Sequence, residues 1–225
     1  MIGDDMNLRE ELFTNQDLKY RDFHSRLCPT VNKESIIGVR VPILRKIARE
    51  AYKSNAENLC EYYEEIMVKG LTIGMKKCSA QEHISDLAGF VPLIDNWAVC
   101  DCCCSSFKFT DKYREEMYDF IVSYLNNSEY ETRFAIIMLM DYYFTDNYID
   151  KSLKLISSIN SELYYVNMAA AWALSVAFVK YENKVMDILN SHTLTKEIHN
   201  KTIKKICESN RVDKSKKAFI RTYKI

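Results

Sequence analysis

Glycine and proline are scarce, five and three in 225 residues. So few turn formers cannot supply the tight connections of a many-stranded sheet, which leaves an all-α composition. No apolar run is long enough for a bilayer. The longest, Met168 to Val179, falls short of the ~20 residues needed to span one and contains Ser175. No cationic segment followed by an apolar stretch opens the chain, so a soluble, cytoplasmic protein is expected. Net charge is absent too, with 31 Lys and Arg against 31 Asp and Glu. That excludes a globally basic protein, though not a basic face. G-x-S-x-G, the P-loop, G-x-G-x-x-G and H-E-x-x-H are all missing.

Cysteine, by contrast, is plentiful. Eight cysteines, three of them adjacent at Cys102–Cys104, suit a reducing compartment better than a disulfide framework. Cys100-Asp-Cys-Cys103 contains a C-x-x-C but lacks a second pair at zinc-finger spacing. None of His24, His83, His192 and His199 lies in a matching H-x3–5-H element. These cysteines therefore read as small helix-packing residues, and no metal is expected.

The apolar periods are helical almost throughout. One or two short helices are predicted over Asn7–Cys28, carrying Leu8, Leu12 and Phe13 and then Leu18, Phe23 and Leu27. Pro29 ends them. Gly38 permits an unusual turn, and Pro42 suits a helix start. Further helices are predicted over Asn55–Lys69, Ala80–Phe90, Asn96–Lys108, Asp111–Leu125, Glu129–Phe144, Tyr148–Ile159, Glu162–Tyr181, Lys184–Leu189 and Thr195–Ser209. Gly70 and Gly74 read as bracketing a change of direction. About a dozen helices with short loops give helix pairs of ~35–45 residues, the rhythm of HEAT-like units. The expected fold is an all-α, HEAT-like repeat α-solenoid of antiparallel helix pairs, one domain over residues 1–225. An irregular helical bundle is the alternative.

The stretch around which the chain is organised is Pro92-Leu-Ile-Asp-Asn-Trp97-Ala-Val-Cys-Asp101-Cys-Cys-Cys-Ser-Ser-Phe-Lys108. With Asn96 as N-cap, Trp97, Asp101, Cys104 and Lys108 fall within one narrow arc of the helix. Val99, Cys100, Cys103 and Phe107 gather on the core side. The i to i+4 spacing brings Trp97 and Asp101 within roughly 5–6 Å at their Cβ atoms. An indole thus stands beside a carboxylate on a face that need not be buried. The plainer alternative is a core tryptophan and a solvated first-turn charge.

Three other features stand out. Arg40, Arg45, Lys46 and Arg49 line one side of a helix whose other side is Ile43, Leu44, Ile47 and Ala51; such a row either contacts phosphates or is simply solvated. Arg133 lies in a helix, Thr132-Arg-Phe-Ala-Ile-Ile-Met-Leu-Met140, that is apolar almost all round, so it needs a partner or an opening to an anion. Trp172 is flanked by tiny residues in Met168-Ala-Ala-Ala-Trp-Ala-Leu-Ser-Val-Ala177, which lets it either pack into a hole or project. Finally, Leu194–Ile225 holds ten Lys/Arg against three Asp/Glu, leaving the preceding residues at −7.

These pieces, in this order, resemble the AlkD-like DNA alkylation repair proteins, which are HEAT-like DNA glycosylases. The similarity runs through Ile37-Gly-Val-Arg40-Val-Pro-Ile-Leu-Arg45-Lys and Phe90-Val-Pro-Leu-Ile-Asp-Asn-Trp97-Ala-Val-Cys-Asp101. It continues in Thr132-Arg-Phe-Ala-Ile-Ile and Ala171-Trp-Ala-Leu-Ser. The resemblance implies excision of N3- or N7-alkylated, cationic purines from double-stranded DNA. By position, Asp101 matches the catalytic carboxylate, and Trp97 and Trp172 match aromatic surfaces against the sugar and backbone. Arg133 matches a DNA-contacting cation, with Arg40, Arg45, Arg49 and Lys108 available to phosphates. An N-terminal aromatic of the family has two candidates here, Tyr20 and Phe23.

Such chemistry agrees with these side chains. Breaking a C1′–N bond builds oxocarbenium character that a carboxylate stabilises, and the same carboxylate can position water. Indole faces attract cationic, C–H-rich groups, contributing about 0.5–2 kcal/mol each. An alkylpurine cation needs no general acid, and no lysine beside Asp101 is placed as a Schiff-base nucleophile. The expectation is a monomeric, monofunctional glycosylase, without cofactor, whose Trp97, Asp101, Arg133 and Trp172 open onto a concave groove. The rival is a non-catalytic HEAT-like protein that binds damaged or branched DNA, or a protein partner.

Overall fold

The structure, a computed structural model, describes residues 6–57 and 59–225. Among them there is no strand, and the helices are α1 (Leu8–Thr14), α2 (Leu18–Leu27), α3 (Val41–Ser54), α4 (Tyr63–Ile73), α5 (Ala80–Phe90), α6 (Trp97–Cys104), α7 (Phe109–Lys112), α8 (Arg114–Val122), α9 (Glu129–Tyr142), α10 (Ile149–Ser157), α11 (Tyr164–Lys180), α12 (Glu182–Ser191), α13 (Lys196–Glu208) and α14 (Lys214–Arg221). Short 3₁₀ turns at Lys33–Ser35 and Val91–Leu93 complete the list of helical elements. The protein is all-α, and helices pack successively on their neighbours as in an α-solenoid.

Most helix starts are encoded locally. Asn7, Asp17, Asn96, Thr195 and Asp213 each accept a backbone N–H from the first turn that follows. Ser79 with Glu82, and Ser128 with Glu131, form capping boxes. At α4 the N-terminal amides are met by Glu65, whose Oε2 accepts from Glu61 N at 2.9 Å and Tyr62 N at 3.1 Å. Arg9 from α1 holds the same carboxylate, Nε to Oε1 at 2.7 Å.

The chain divides into two compact units, residues 1–120 and 121–225. In the first, α4 is the hub, packing on α1, α3, α5 and α6. The predicted helix over Asn55–Lys69 therefore starts too early. The α4 helix begins at Tyr63 because Glu65 reaches back to the amides of Glu61 and Tyr62 just before it; of the residues further upstream, Asn58 lies outside those described. Gly70 does not mark a change of direction either. It sits inside α4, and a Cβ there would stand 2.4 Å from Cys103 Sγ and 2.5 Å from Phe90 Cζ. A missing side chain lets α4 and α6 approach closely, and Cys103, fully buried, points its thiol at Met67 O, 3.6 Å away. The cysteine run is thus helix packing on its inner face, as its composition suggests.

On α2, by contrast, the apolar residues Leu18, Phe23 and Leu27 stand exposed, and the buried side chain is His24. Phe13 of α1 is exposed as well, while Leu8 and Leu12 are buried.

A second long-range tie holds the loop before α3. Glu64, wholly buried, accepts three backbone N–H groups, from Ile37 at 2.8 Å, Gly38 at 2.7 Å and Val39 at 3.1 Å. Burial nevertheless raises its pKa, against the lowering influence of those three donors. Gly38 has φ +102°, and a Cβ would meet Asp17 O at 2.7 Å, so only glycine fits. The loop delivers Arg40 to the start of α3, with Pro42 in its first turn.

In the second unit α11 is the hub, packed on α9, α10, α12 and α13, with α14 on α13. The α9 helix is buried almost all round, as its composition requires. The basic C-terminal segment is not an unstructured tail: it forms α13 and α14. There Lys201 pairs with Glu197, Lys205 with Glu208, and Lys216 with Glu182, which locally offsets part of its charge.

Candidate functional site

The site is best built from α6. Asn96, fully buried, caps it through Oδ1 to Val99 N at 2.9 Å. Trp97 is then the first helical residue and remains partly exposed. Its Nε1–H donates to the Leu27 carbonyl at 2.9 Å, one of the oxygens that the end of α2 leaves without an intrahelical donor. Thr30 Oγ1 donates to Asp95 O at 3.0 Å beside it. Two bonds thus fasten the end of α2 to the start of α6 and hold the indole in one orientation.

One turn further, Asp101 is also partly exposed, whereas Ala98, Val99, Cys100, Cys103 and Cys104 are buried. The predicted open arc therefore holds at Trp97 and Asp101 but not at Cys104, which has no exposed surface. The α6 helix ends at Cys104, short of the predicted Lys108, because the chain turns there through Ser105–Phe107. Lys108 is exposed at the start of α7 and no longer shares a continuous helical face with Asp101.

Cys102, beside Asp101, is half-buried. Burial raises its pKa, with Arg45 of α3 acting against the shift and Asp101 adding to it. On α2, burial raises the Tyr20 phenol, Glu64 and Cys102 reinforce that shift, and Arg40 opposes it. The Arg40 guanidinium stands over the Tyr20 ring, 4.8 Å from its centroid, and pairs with Asp17, Nη2 to Oδ2 at 2.8 Å. Tyr20 stacks on His24, which in turn meets Tyr63. Of the two N-terminal aromatics, Tyr20 is thus half-buried between Arg40 and His24, and Phe23 is left exposed. Arg49 lies exposed on α3, away from its buried face of Leu44, Ile47, Ala48 and Ala51.

In the second unit, Arg133 is buried and finds the partner its setting demands: Nη1 donates to Tyr165 O at 3.0 Å, joining α9 to α11. Glu129 Oε1 accepts from Tyr165 N at 2.7 Å on the same turn. Trp172 is partly exposed while Ala169, Ala170, Ala171 and Ala173 around it are wholly buried. Those alanines bring the backbone close to its neighbours and leave the indole as the large side chain that is not swallowed by the core.

Glu64 was not singled out by sequence. Its signal is a pair of carboxylates opening an otherwise apolar helix, Tyr63-Glu-Glu-Ile-Met-Val68; both are buried, and which partner each meets depends on the segments packed against them.

An all-helical protein that presents an indole and a carboxylate one turn apart on a helix otherwise largely buried is the class that fold and site define. The chain belongs to the family described as DNA alkylation repair enzyme, which matches residues 8–206. No curated protein is significantly similar to it. Membership carries a role in DNA alkylation repair, with DNA as the substrate. No described helix is long and apolar enough to cross a membrane.

Proposed function

We propose that the protein is a monofunctional DNA glycosylase that hydrolyses the N-glycosidic bond of N3- and N7-alkylated purines. The observation that carries this reading is the half-open Trp97–Asp101 pair, held by Asn96 and Leu27 on a helix whose other residues are largely buried. An alkylated purine is already a cationic leaving group, so the slow event is the build-up of positive charge on the sugar. The Asp101 carboxylate stabilises that charge and orients the attacking water. The indole of Trp97 offers a π face to the same cationic sugar, and its fixed N–H prevents it from swinging away. On the strength of the resemblance Trp172 takes the role of a second aromatic surface; Arg133, buried and donating to the Tyr165 carbonyl, would have to give up that partner to contact DNA.

Incubation with duplex DNA containing 7-methylguanine tests the reading directly, and release of the free base is expected. Tight binding to the same duplex with no base released would favour the non-catalytic DNA-binding protein.

Phosphate contacts are assigned to Arg45, Arg49 and Lys108, and to Arg40 once it exchanges Asp17 for a phosphate. For four to six such contacts, affinity should fall by roughly 10²–10³-fold between about 50 and 200 mM salt. Arg49→Ala should lower the slope of that dependence by about one contact, with little change in sequence preference. A titration flat across this range would remove the electrostatic component.

A further inference from the structure

Away from α6, the loop before α5 and the first two turns of α5 bring three side chains of different chemistry together. Cys78 Sγ, a ring nitrogen of His83 and a carboxylate oxygen of Asp86 all lie within 4.8 Å of one another. Cys78 immediately precedes the Ser79 cap, and His83 and Asp86 are three residues apart on one face of α5. We propose that Cys78, His83 and Asp86 form a site for a thiophilic divalent cation such as Zn²⁺, with one coordination position left to water.

Several observations point to a ligand rather than to a chance cluster. His83 is 1% exposed, yet its Nδ1 has no hydrogen-bond partner. A buried imidazole nitrogen left in that state is costly, and a cation or water meets the need. The ring itself is held: it stacks on Phe109 at 3.5 Å between centroids, only 6° from parallel. The backbone of Cys78 is held as well, since Tyr113 Oη donates to its carbonyl at 3.0 Å. Glu82, the other carboxylate nearby, is engaged with the Ser79 amide and hydroxyl. Asp86 also lines a pocket of about 190 Å³ together with Lys76, Thr72 and Ser85, so its carboxylate is reachable from solvent.

Thiolate, imidazole and carboxylate form a donor set that zinc takes readily. Three protein ligands with an open fourth position is an established coordination pattern. Tetrahedral coordination at about 2.0–2.3 Å would bring the donor atoms to about 3.3–3.6 Å apart. From separations of up to 4.8 Å this needs a closure of at most about 1.2–1.5 Å, within reach of side-chain rotation at the half-exposed Cys78 and Asp86. At present Lys76 occupies the third ligand, Nζ lying 2.8 Å from both oxygens of Asp86. Binding would release the Cys78 thiol proton and the Lys76 ammonium to solvent, and the cation would replace both positive charges. The sequence spacing, C-x4-H-x2-D, belongs to no zinc-finger pattern, which is why the histidines alone did not reveal it. The site would pin the start of α5 and does not depend on the glycosylase reading.

Titration of the reduced, chelator-treated full-length protein with Co²⁺ is the test. One equivalent should produce a thiolate-to-cobalt charge-transfer band with intense tetrahedral d–d bands, and one equivalent of Zn²⁺ should bleach them. Cys78→Ser should abolish the charge-transfer band, and Asp86→Asn should weaken binding by roughly tenfold or more. Lys76→Met, which removes the competing cation, should instead tighten it. Melting curves of each variant confirm that it folds. A band that survives Cys78→Ser, or an affinity that neither Asp86→Asn nor Lys76→Met moves, would mean adventitious binding to other thiols and overturn the proposal.

Discussion

Replacing Asp101 by asparagine is expected to slow release of 7-methylguanine by roughly 10²-fold or more, about 2.7 kcal/mol of barrier. The substitution keeps the shape of the side chain and its capacity to accept hydrogen bonds. What it removes is the charge that stabilises a positive sugar. The α6 helix should survive it, because its start is held by Asn96, by Trp97 on Leu27 and by a buried inner face. Binding to duplex DNA should persist or tighten, since a negative charge has been taken away from the path of the phosphates. Single-turnover release of the free base, measured beside a melting curve, separates this from a structural role. If Asp101 were only a helix-end charge, the change would cost tenths of a kcal/mol in stability and leave excision intact. An unchanged rate in a well-folded variant would refute the mechanism.

The second large effect should come from Glu64, and it should appear in stability. Glu64→Ala leaves the amides of Ile37, Gly38 and Val39 without their buried acceptor. A lost partner costs about 1–3 kcal/mol per buried group. Partial relaxation and entry of water into the new space bring the expected total to about 3–5 kcal/mol. At this chain length that corresponds to a melting temperature lower by roughly 6–20 °C. Glu64→Gln should fall between the two, because an amide oxygen still accepts but its NH₂ would face donors. Excision by the alanine variant, assayed below its melting transition, should also drop, since the loop that places Arg40 over Tyr20 has lost its anchor. A melting temperature within a degree or two of the wild type would show that the loop is held by something else.

Much of this protein is a local matter, and to that extent its sequence determined it. Ser79 with Glu82 and Ser128 with Glu131 begin helices wherever the chain is placed, because the bonds they make span only three residues. The pairing of Trp97 with Asp101 is equally local, a consequence of 3.6 residues per turn. Scarce glycine and proline settled the all-α class for the same reason. The tertiary structure alone decided which helical faces meet. Periodicity divides a helix into faces but does not say what lies opposite, so Cys104 could be expected to lie open and is in fact buried, and Gly70 reads as a turn until Cys103 is seen against it. Phe23 and Tyr20 are three residues apart on one helix, and the approach of Arg40 to Tyr20 distinguishes them. Glu64 and Glu65 are adjacent in sequence, yet one meets the loop of residues 37–39 and the other meets Arg9. Each of these outcomes depends on groups brought from 20 to 60 positions away, and long-range packing of that kind is a property of the folded chain, not of any window within it.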